Sequence, residues 1–409
     1  MSPPSKPPRF AGALSTAAET QLAVEQVAQR IRADLAEADP DLLLAFVSHH
    51  HGGEIETLGP RLARASGARV LIGCTGESII GAGREVEQGP ALSAWAACMP
   101  GVSVRPFACE ARAPSDSERP VFTGLPEVED RARASLLVLA DPFSFPMDDF
   151  LKVLNESLPG VPAVGGMASG GMGPGQNLLF DARGLKQGGA LGVVLEGDIE
   201  VRSVVSQGCR PVGSPWVVTD CEQNVIKKLG GRAAFDVLME TLQRLEPEDK
   251  KLFQRAPFVG LAIDPSKSRF ERGDFLVRGI VGASQKEKVV AVAENVRRGQ
   301  SMQFLVRDAA SASEDLTLLM GSQGGGLSPA ASEGGATAGA LLFSCNGRGT
   351  RMFEKPDHDV SAVRAGLDAA VPVAGFFALG EVGPVAGRNF LHGFTASVAV
   401  FRPREEPKS

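Results

Sequence analysis

The sequence predicts a protein of the α/β to α+β class, with two halves of internally duplicated mixed β-sheets flanked by helices. Apolar runs of strand length alternate with segments whose apolar residues recur every three or four positions, as in helices packed on sheets. One order of segments recurs along the chain. In addition, 48 glycines in 409 residues indicate many tight turns between short elements.

The first predicted element is a helix at residues 16–35. Thr16 and Glu19 have the spacing of a capping box, and apolar residues then recur with helical spacing. Residues 42–47 are a continuous apolar run, which is typical of a strand buried on both faces. Next along the chain we predict a helix at 55–64 and strands at 69–74, 91–97 and 102–107.

The same order then recurs. Residues 70–77 parallel residues 162–169, and the polar strand ends Ser48 and Asp141 precede these two segments at nearly equal spacing. Such self-similarity indicates duplicated structural units. The second copy comprises strands at 136–141 and 162–166, a helix at 148–158, and trailing strands at 189–195 and 199–205.

The C-terminal half carries the pattern again. This copy has strands at 340–344, 372–376 and 391–400 and a helix at about 360–369. A fainter fourth copy, without its helix, is predicted from strands at 258–264, 275–282 and 302–307. Between the halves we predict helices at 225–229 and 235–245.

These units give a domain organisation. We expect a tail and helix at residues 1–40, an N-terminal domain at 41–215, a C-terminal domain at 216–402 and a tail at 403–409, with two units per domain. Residues 321–337 are rich in Gly, Ser and Ala, and this composition favours a flexible surface loop. The alternative is a lid over the strand that leads to Cys345.

Composition and charge exclude several classes of function. A net charge of −6 without a basic run argues against nucleic acid or an anionic membrane as partner. The proline-rich start lacks the apolar core of a signal peptide, and no apolar run approaches the roughly 20 residues that span a bilayer. Six scattered cysteines without CxxC spacing indicate reduced thiols. We therefore expect a cytoplasmic protein, and the absence of tyrosine excludes chemistry based on a phenol.

Common catalytic and cofactor motifs are absent from the sequence. There is no P-loop, no GxSxG elbow, no HExxH and no GxGxxG at a strand–helix junction, so we predict no cofactor and favour a non-enzymatic role. The glycines between residues 165 and 175 have the wrong spacing for a dinucleotide site. A tight connection between strands is favoured there over a loop that cradles a ligand.

The sharpest candidate site is the turn at residues 345–349. It brings a thiol, an amide and a guanidinium together at the end of a buried strand, and arginine is suited to grip a carboxylate or phosphate. The members of the turn that we select are Cys345, Asn346, Arg348 and Gly349, and Glu381, Asn389 and His392 lie in the same repeat unit. Cysteine with histidine could form a nucleophilic set, but a small buried residue is the favoured interpretation of Cys345.

Further polar residues follow the first two strands of the N-terminal half. Glu77 and Glu381 hold equivalent positions after a glycine, where each could bind a ligand amine or clamp its own loop. Three histidines at 49–51 follow a strand end, where His50 could line a pocket or the run could be a plain surface turn. A metal site with Cys74 or Glu77 is a weaker alternative, so we predict no metal.

Five segments together carry a resemblance to a known family. They are residues 70–77 (VLIGCTGE), 88–97 (QGPALSAWAA), 341–349 (LLFSCNGRG), 373–384 (VAGFFALGEVGP) and 389–399 (NFLHGFTASVA). With these segments the chain resembles the FIST family, the F-box and intracellular signal transduction proteins. The resemblance runs from about residue 20 to 402. It implies N-terminal and C-terminal FIST domains that sense small ligands, with amino acids as the suggested class. We expect a stand-alone member without an F-box, and the family supplies no catalytic residues to carry over.

Three hypotheses follow. The leading one is a cytoplasmic ligand-binding sensor, in which Arg348 holds a carboxylate and Glu77 or Glu381 holds an amine. The second is an enzyme that uses Cys345 with His392 or His50 as base. The third is a protein-interaction scaffold without a small ligand. Where the glycine loops converge, we expect the ligand site, and a protein signalling partner is expected downstream.

Overall fold

Chain contacts divide the molecule into two bodies. In this computed structural model the described residues are 7–112, 120–264, 274–323 and 338–404. The main body is Met1–Val205 with Leu316–Ser409, and the inserted body is Ser206–Asp315. Sheets of mixed strand direction and helices that cover them make up the main body. This confirms the predicted class of a mixed α/β protein with duplicated sheets.

The first repeat unit has a parallel strand pair at its centre. Its elements are β1 (Arg9–Ser15), α1 (Thr20–Asp34), β2 (Leu42–Ser48), α2 (Ile55–Ser66), β3 (Val70–Gly76), β4 (Ile79–Gly81), β5 (Arg84–Val86) and β6 (Leu92–Cys98). Strand β2 lies between β3, which is parallel to it, and β6, which is antiparallel. Every residue of β2 is buried, as its apolar run predicted. Strand β1 was missed, because its alanines and glycine give little strand signal.

The second unit repeats this topology. Its elements are β7 (Val102–Arg112), β8 (Val121–Thr123), β9 (Ala134–Ala140), α3 (Met147–Ser157), β10 (Ala163–Met167), β11 (Leu179–Asp181), β12 (Gly184–Lys186) and β13 (Ala190–Gly197). Strand β9 pairs in parallel with β10 and antiparallel with β13. The third unit then begins with β14 (Ile199–Ser206).

The inserted body follows β14 in the chain. Its elements are β15 (Cys209–Glu222), β16 (Val225–Leu229), β17 (Arg232–Ala233), α4 (Ala234–Arg244), α5 (Pro247–Arg255), β18 (Phe258–Ala262), β19 (Phe275–Ser284), β20 (Val289–Val292) and β21 (Ser301–Arg307). Because β15 pairs with both β21 and β16, its antiparallel sheet closes into a ring. Apolar side chains such as Val259, Met302 and Phe304 form a core within this body.

Two predictions for this region are corrected. The helix predicted at residues 225–229 is strand β16, since Ile226 and Leu229 are buried while Lys228 is exposed, and the strand pairs with both β15 and β20. The strands expected to form a fourth copy are β18, β19 and β21. They pair antiparallel with one another, so they do not reproduce the parallel pair of the other units.

The third unit resumes after the inserted body. Its remaining elements are α6 (Ala309–Gln323), β22 (Gly339–Cys345), α7 (His358–Leu367), β23 (Val373–Ala378), β24 (Glu381–Val385), β25 (Arg388–His392) and β26 (Ala396–Pro403). Strands β22 and β23 are parallel, and β26 flanks β22 antiparallel. Of the predicted loop at 321–337, the first three residues end α6 and residues 324–337 lie outside the described chain.

Each unit completes its sheet with a hairpin that belongs to another unit. Hairpin β4–β5 of the first unit pairs with β23, hairpin β11–β12 of the second pairs with β3, and hairpin β24–β25 of the third pairs with β10. The register is equivalent in the three sheets, where Ile80 faces Gly375, Phe180 faces Gly73 and Val382 faces Gly165. The exchange is cyclic, so the three units interlock.

The repeated glycine in these strands has a steric cause. A Cβ atom on Gly165 would lie 1.8 Å from the carbonyl oxygen of Val138, and one on Gly375 would lie 1.8 Å from that of Leu342. A Cβ on Gly73 would lie 2.4 Å from the oxygen of Ala45. Only glycine lets the backbone of the neighbouring parallel strand approach so closely.

Faces of the three sheets pack into one apolar cluster, while the helices cover other faces. Phe46 of the first sheet stacks on Phe376 of the third with ring centroids 5.1 Å apart, and Leu137 of the second sheet joins the same cluster. Helices α1 and α2 pack in a second cluster against β2. Along the described ranges, no helix has the length and apolarity needed to cross a membrane.

Candidate functional site

Three equivalent turns lie at the carboxyl ends of β2, β9 and β22. At each turn, a backbone N–H at the strand end or just after it donates to a backbone carbonyl. The residue that supplies this carbonyl directly precedes the last strand of the unit. The donors and acceptors are Ser48 and Ala91, Asp141 and Gly189, and Cys345 and Thr395, at 2.9, 3.0 and 2.9 Å. The first turn continues as a 3₁₀ helix at His49–Glu54 and the third leads to one at Gly349–Arg351.

The loops after β3, β10 and β23 meet one another. Equivalent backbone N–H groups donate to carbonyls of a neighbouring unit: Thr75 to Leu178 at 2.9 Å, Met167 to Gly380 at 2.8 Å and Phe377 to Ser78 at 2.9 Å. Ser169 adds a link from its own loop, because its N–H donates to the carbonyl of Thr75 at 3.1 Å. The three carboxyl-end regions therefore form one connected structure.

The third turn, residues 345–349, is built on a buried ion pair. Arg348 Nε donates to Asp359 Oδ2 at 2.6 Å and Arg348 Nη2 donates to Asp359 Oδ1 at 2.8 Å. Ser344 Oγ donates to the same Oδ2 at 2.7 Å. Both charged side chains are 0% exposed. The carboxylate expected at Arg348 is thus supplied, on two of its nitrogens, by the first turn of α7.

Burial and pairing oppose each other in this ion pair. Burial disfavours the charge of Arg348, but the charge and hydrogen bonds of Asp359, followed by the charges of Cys345 and Glu381, raise the pKa of Arg348. Burial would likewise raise the pKa of Asp359, yet Arg348, His358 and Ser344 hold that pKa well below its ordinary value. Both groups are therefore charged, and Cys345 and Glu381 lie within electrostatic reach of the guanidinium.

Aromatic groups close the ion pair on one side. The Arg348 guanidinium carbon lies 5.2 Å from the ring centroid of Phe353, as in a cation–π contact. Phe353 in turn stacks on His358, with centroids 3.5 Å apart and planes 8° apart. The ring nitrogen Nδ1 of His358 is 2.9 Å from Asp359 Oδ1.

Two polar atoms of the third turn are buried without a hydrogen-bond partner in the described chain. They are the donor Arg348 Nη1 and the acceptor Asn346 Oδ1. A buried polar atom without a partner costs about 1–3 kcal/mol, so such atoms call for an explanation. The backbone of Asn346 is bound, since its N–H donates to Ala378 O at 3.1 Å and its carbonyl accepts from Arg351 Nη1 at 2.9 Å.

Arg351 and Glu77 lie over the rim of this turn. Arg351 Nη2 donates to Glu77 Oε1 across the first and third units, and the two side chains are 58% and 31% exposed. The N–H of Glu77 donates to Ser169 Oγ at 2.8 Å, which ties this rim to the second unit. The ion pair raises the pKa of Arg351, with the hydrogen bond to Glu77 as the largest cause.

Glu381 approaches the turn from the exchanged strand β24. Its Oε2 accepts from the N–H and the hydroxyl of Thr395 at 3.1 and 2.7 Å, and the carbonyl of Thr395 in turn accepts from Cys345 N–H. Glu381 is fully buried, whereas Cys345 is half-buried. The structure thus brings Glu381 close to Cys345 and Arg348. Gly349 adopts a φ of +59° beside Glu87, where a side chain would be strained.

Of the remaining predicted site residues, Cys74, Asn389 and His50 lie elsewhere, whereas His392 is the register partner of Glu381. Cys74 is buried in the central apolar cluster, and burial raises the pKa of its thiol well above the ordinary value. Asn389 anchors β25 to the start of β10, accepting from Ala163 N–H at 2.8 Å and donating to Val161 O at 2.9 Å. His392 Nε2 is 3.0 Å from the carbonyl of Gly383, and exposed His50 contacts Ser48 Oγ at 3.3 Å. None of these contacts is with the third turn.

Several residues of the site were missed from the sequence. Glu85 and Glu87 reach the third turn on the exchanged strand β5 or just after it. Glu85 Oε1 accepts from Val360 N–H at 2.8 Å, and Glu87 accepts from the N–H of Thr350 at 2.9 Å. Burial, followed by the charge of Asp359, raises the pKa of Glu85 to about 8. Of the missed residues, only Arg351 could have been found from the sequence, because it is a second arginine close to Arg348 in the chain.

The first turn differs in chemistry from the third. His51 is buried, with Nδ1 2.9 Å from Thr20 Oγ1, and burial lowers the pKa of His51. His49 Nε2 is 3.0 Å from the carbonyl of Ser169. Within residues that the structure describes, no group of three His, Cys, Asp or Glu side chains could hold a metal ion.

A groove of about 650 Å³ lies on the inserted body. Three lysines and three acidic residues line it around a small apolar floor. Two of the lysines are already paired, Lys227 with Glu222 at 2.7 Å and Lys288 with Asp236 at 3.0 Å. This groove therefore offers an electrically balanced surface rather than a site for one charge.

These features define a class of protein: a mixed α/β molecule of interlocked repeat units, with buried polar groups gathered at the carboxyl ends of its parallel strands. Residues 41–232 match the FIST N domain and residues 234–384 match the FIST C domain. The chain belongs to the FIST family. FIST domains are in general sensory domains that bind small ligands in signal transduction.

Mycobacteria contain relatives that are similar to this chain over nearly their whole length. An uncharacterized protein of Mycobacterium tuberculosis is 38% identical over 394 residues, which is 96% of this chain and 99% of the relative. An uncharacterized protein of Mycobacterium bovis is 38% identical over 391 residues, covering 95% and 97% of the two chains. The similarity therefore extends across both FIST domains.

Proposed function

We propose that this protein is a sensor that binds a small zwitterion or carboxylate, such as an amino acid, at the third turn. Arg348 Nη1 donates to a carboxylate oxygen of the ligand, and Asn346 Oδ1 accepts from its amine. Glu77 or Glu381 supplies negative charge near that amine. Cys345 and Gly349 line the same turn.

The observation that carries this proposal is the pair of buried, unpartnered atoms on Arg348 and Asn346. One is a donor and the other an acceptor, so a single ligand with both kinds of group satisfies both. Each hydrogen bond to a charged group contributes about 1.5–3 kcal/mol. The guanidinium is held rigidly by Asp359, so little side-chain entropy is lost when the ligand binds.

Access to the turn is controlled by a weak contact. Arg351 bridges Glu77 and the carbonyl of Asn346 at the rim, and both charged side chains are partly exposed. An exposed ion pair contributes about 0–1 kcal/mol, so its opening costs little. A ligand that satisfies two buried atoms gains more than this opening costs.

Calorimetric titration tests the proposal. The titrants are a panel of amino acids and small carboxylates, and the variants are Asn346→Ala and, as matched control, Asn295→Ala on an exposed asparagine. We expect a member of the panel to bind below about 1 mM, and Asn346→Ala to weaken it at least about tenfold. Because it removes an unpartnered buried atom, Asn346→Ala should not lower the unfolding temperature.

Two results would contradict the proposal. One is that no panel member binds more tightly than millimolar. The other is that Asn346→Ala binds the best ligand as well as the parent does, while Asn295→Ala also binds normally.

We further propose a cytoplasmic location and a protein signalling partner. The general role of FIST domains in signal transduction supports such a partner. Affinity capture from the native host, with and without the best ligand of the panel, tests it. A partner whose recovery is the same with ligand, without ligand and with Asn346→Ala would speak against a sensory role.

A further inference from the structure

Two exposed apolar side chains flank the third turn. Leu379 is 48% exposed and Phe394 is 38% exposed. Each adjoins a residue whose carbonyl accepts a hydrogen bond from the turn. Leu379 follows Ala378, which accepts from the N–H of Asn346. Phe394 precedes Thr395, which accepts from the N–H of Cys345. Because β22 lies between β23 and β26, these two residues stand on opposite sides of the turn.

Phe394 has an unfavourable backbone conformation. Its φ is +66°, in the left-handed region that a bulky side chain rarely adopts. The equivalent residue of the second unit is Gly188, with a φ of +72°, since both precede the residue whose carbonyl binds the turn. Glycine is the inexpensive choice at such a position. A phenylalanine there is retained against a conformational cost, which is a mark of functional positions.

The first two units do not have this apolar pair. The residues equivalent to Leu379 are Glu77 and Ser169, and both of these are polar and hydrogen bonded to other units. Among the three turns described above, this pair of exposed apolar side chains therefore borders the one whose Arg348 and Asn346 carry unpartnered atoms, whereas the second turn carries a single exposed apolar side chain, Phe143.

We propose that Leu379 and Phe394 form a subsite for an apolar tail, so that the ligand of the third turn is amphipathic. This inference rests on the proposed function, because the polar head of the ligand is the group bound by Arg348 and Asn346. The tail lies between the two exposed side chains and removes their apolar surface from water. Ligands with a polar tail of equal length gain nothing there.

Two homologous ligand series test the subsite by calorimetry. The amino acids are glycine, norvaline and norleucine, with glutamine as a polar ligand of similar length, and the carboxylates are acetate, butyrate and hexanoate. A buried methylene raises affinity about fourfold, so norleucine or hexanoate should bind at least about tenfold more tightly than the shortest member of its series. Glutamine should resemble glycine.

Phe394→Gly and Leu379→Ala are the informative variants, and Leu318→Ala, at an exposed leucine of α6, is the matched control. Each informative variant should lose most of the gain with tail length while binding of the shortest ligand is unchanged. Phe394→Gly relieves the left-handed backbone, so its unfolding temperature should stay within about 4 °C of the parent or rise. A purely structural phenylalanine would instead lower that temperature and leave the tail-length dependence intact.

The outcomes separate the two proposals. Binding that does not increase with tail length in either series, or a gain that survives both variants, overturns the apolar subsite and leaves the polar site standing. Absence of binding in both series overturns the proposed function and the subsite with it.

Discussion

Arg348 holds a full positive charge where water has no access. Its stability depends on Asp359, which binds two of its nitrogens, and on the ring of Phe353. Charges so buried are strongly destabilising when they lose their partner, because the remaining charge cannot be hydrated. The same rigidity keeps Nη1 fixed in place. At this residue, therefore, folding and the proposed ligand recognition depend on one ion pair.

Removal of one partner of this pair should be costly. We expect Arg348→Met to lower the free energy of unfolding by about 3–5 kcal/mol, because Asp359 is left buried without its counter-charge. Arg30→Ala, which removes the exposed pair of Arg30 with Asp34, should cost less than about 1 kcal/mol. Urea unfolding measures both. The double variant Arg348→Met with Asp359→Leu should recover part of the loss, and equal losses for the buried and exposed pairs would contradict this account.

Glu85 predicts a dependence of stability on pH. The pKa of an ordinary glutamate is 4.5, whereas that of Glu85 in the folded protein is about 8. Burial is the largest cause, the charge of Asp359 comes next, and the charges of Glu87 and Asp357 add to the rise. Between these values the folded protein holds a proton that the unfolded chain releases. The free energy of unfolding should therefore fall as pH rises through this window and level off above about 8.

A neutral isostere tests this dependence. Glu85→Gln should unfold with a flatter profile between pH 5 and pH 9, as measured by chemical denaturation at each pH, with the difference from the parent largest at the alkaline end. Glu110→Gln, at an exposed glutamate of β7, should retain the parental slope. A parental slope in Glu85→Gln would show that other groups cause the dependence.

At the scale of the elements, local sequence patterns predicted where strands lie but did not predict which strands pair. The buried run of β2 and the repeated segments after β3 and β10 identified strands and their duplication. Strand β16 was taken for a helix, since five residues are too few to separate a helical from a strand period. No local pattern shows that a hairpin leaves its own unit, so Glu85 and Glu87 could not be assigned to the third turn. Asp359 was equally hidden, because nothing in the sequence marks it as the partner of Arg348.

A substitution at Gly375 tests the steric explanation of the glycine that is repeated in β3, β10 and β23. In Gly375→Ala the added Cβ would lie 1.8 Å from the carbonyl of Leu342 in the adjacent strand, so β22 and β23 must separate. We expect a loss of about 2 kcal/mol or more in the free energy of unfolding, or no soluble protein. Gly279→Ala in β19 is the matched control, since nothing lies within 4 Å of its Cβ position. Equal stability of both variants would contradict the steric explanation.

At the scale of the molecule, the two ends of the inserted body lie next to each other. Cys209 and Arg307 are register partners on β15 and β21, so the chain enters and leaves the inserted body side by side. Ser206 Oγ donates to Asp315 Oδ2 at 2.8 Å, which closes the ends of that body further. Neighbouring entry and exit points are typical of a domain inserted into a loop of another.

The inserted body should be removable. Replacement of residues 210–306 by a short Gly-Asn turn joins two chain positions that are already adjacent. We expect a soluble main body that retains helix and strand content by circular dichroism and unfolds in one transition. A matched deletion of hairpin β24–β25, which completes the sheet of the second unit, should instead prevent folding. Failure of the first deletion to give soluble protein would show that the main body requires the inserted one.

The cyclic exchange of hairpins bears on the origin of the chain. One unit by itself would present a hairpin with no strand to pair and a strand with no hairpin beside it. Three identical copies arranged around a threefold axis would satisfy every such edge. Duplication and fusion of one gene that encoded a homotrimer would produce this arrangement. Such a fusion would free the three units to diverge, so that the proposed ligand site could arise in one unit while the other two kept the exchange of hairpins closed.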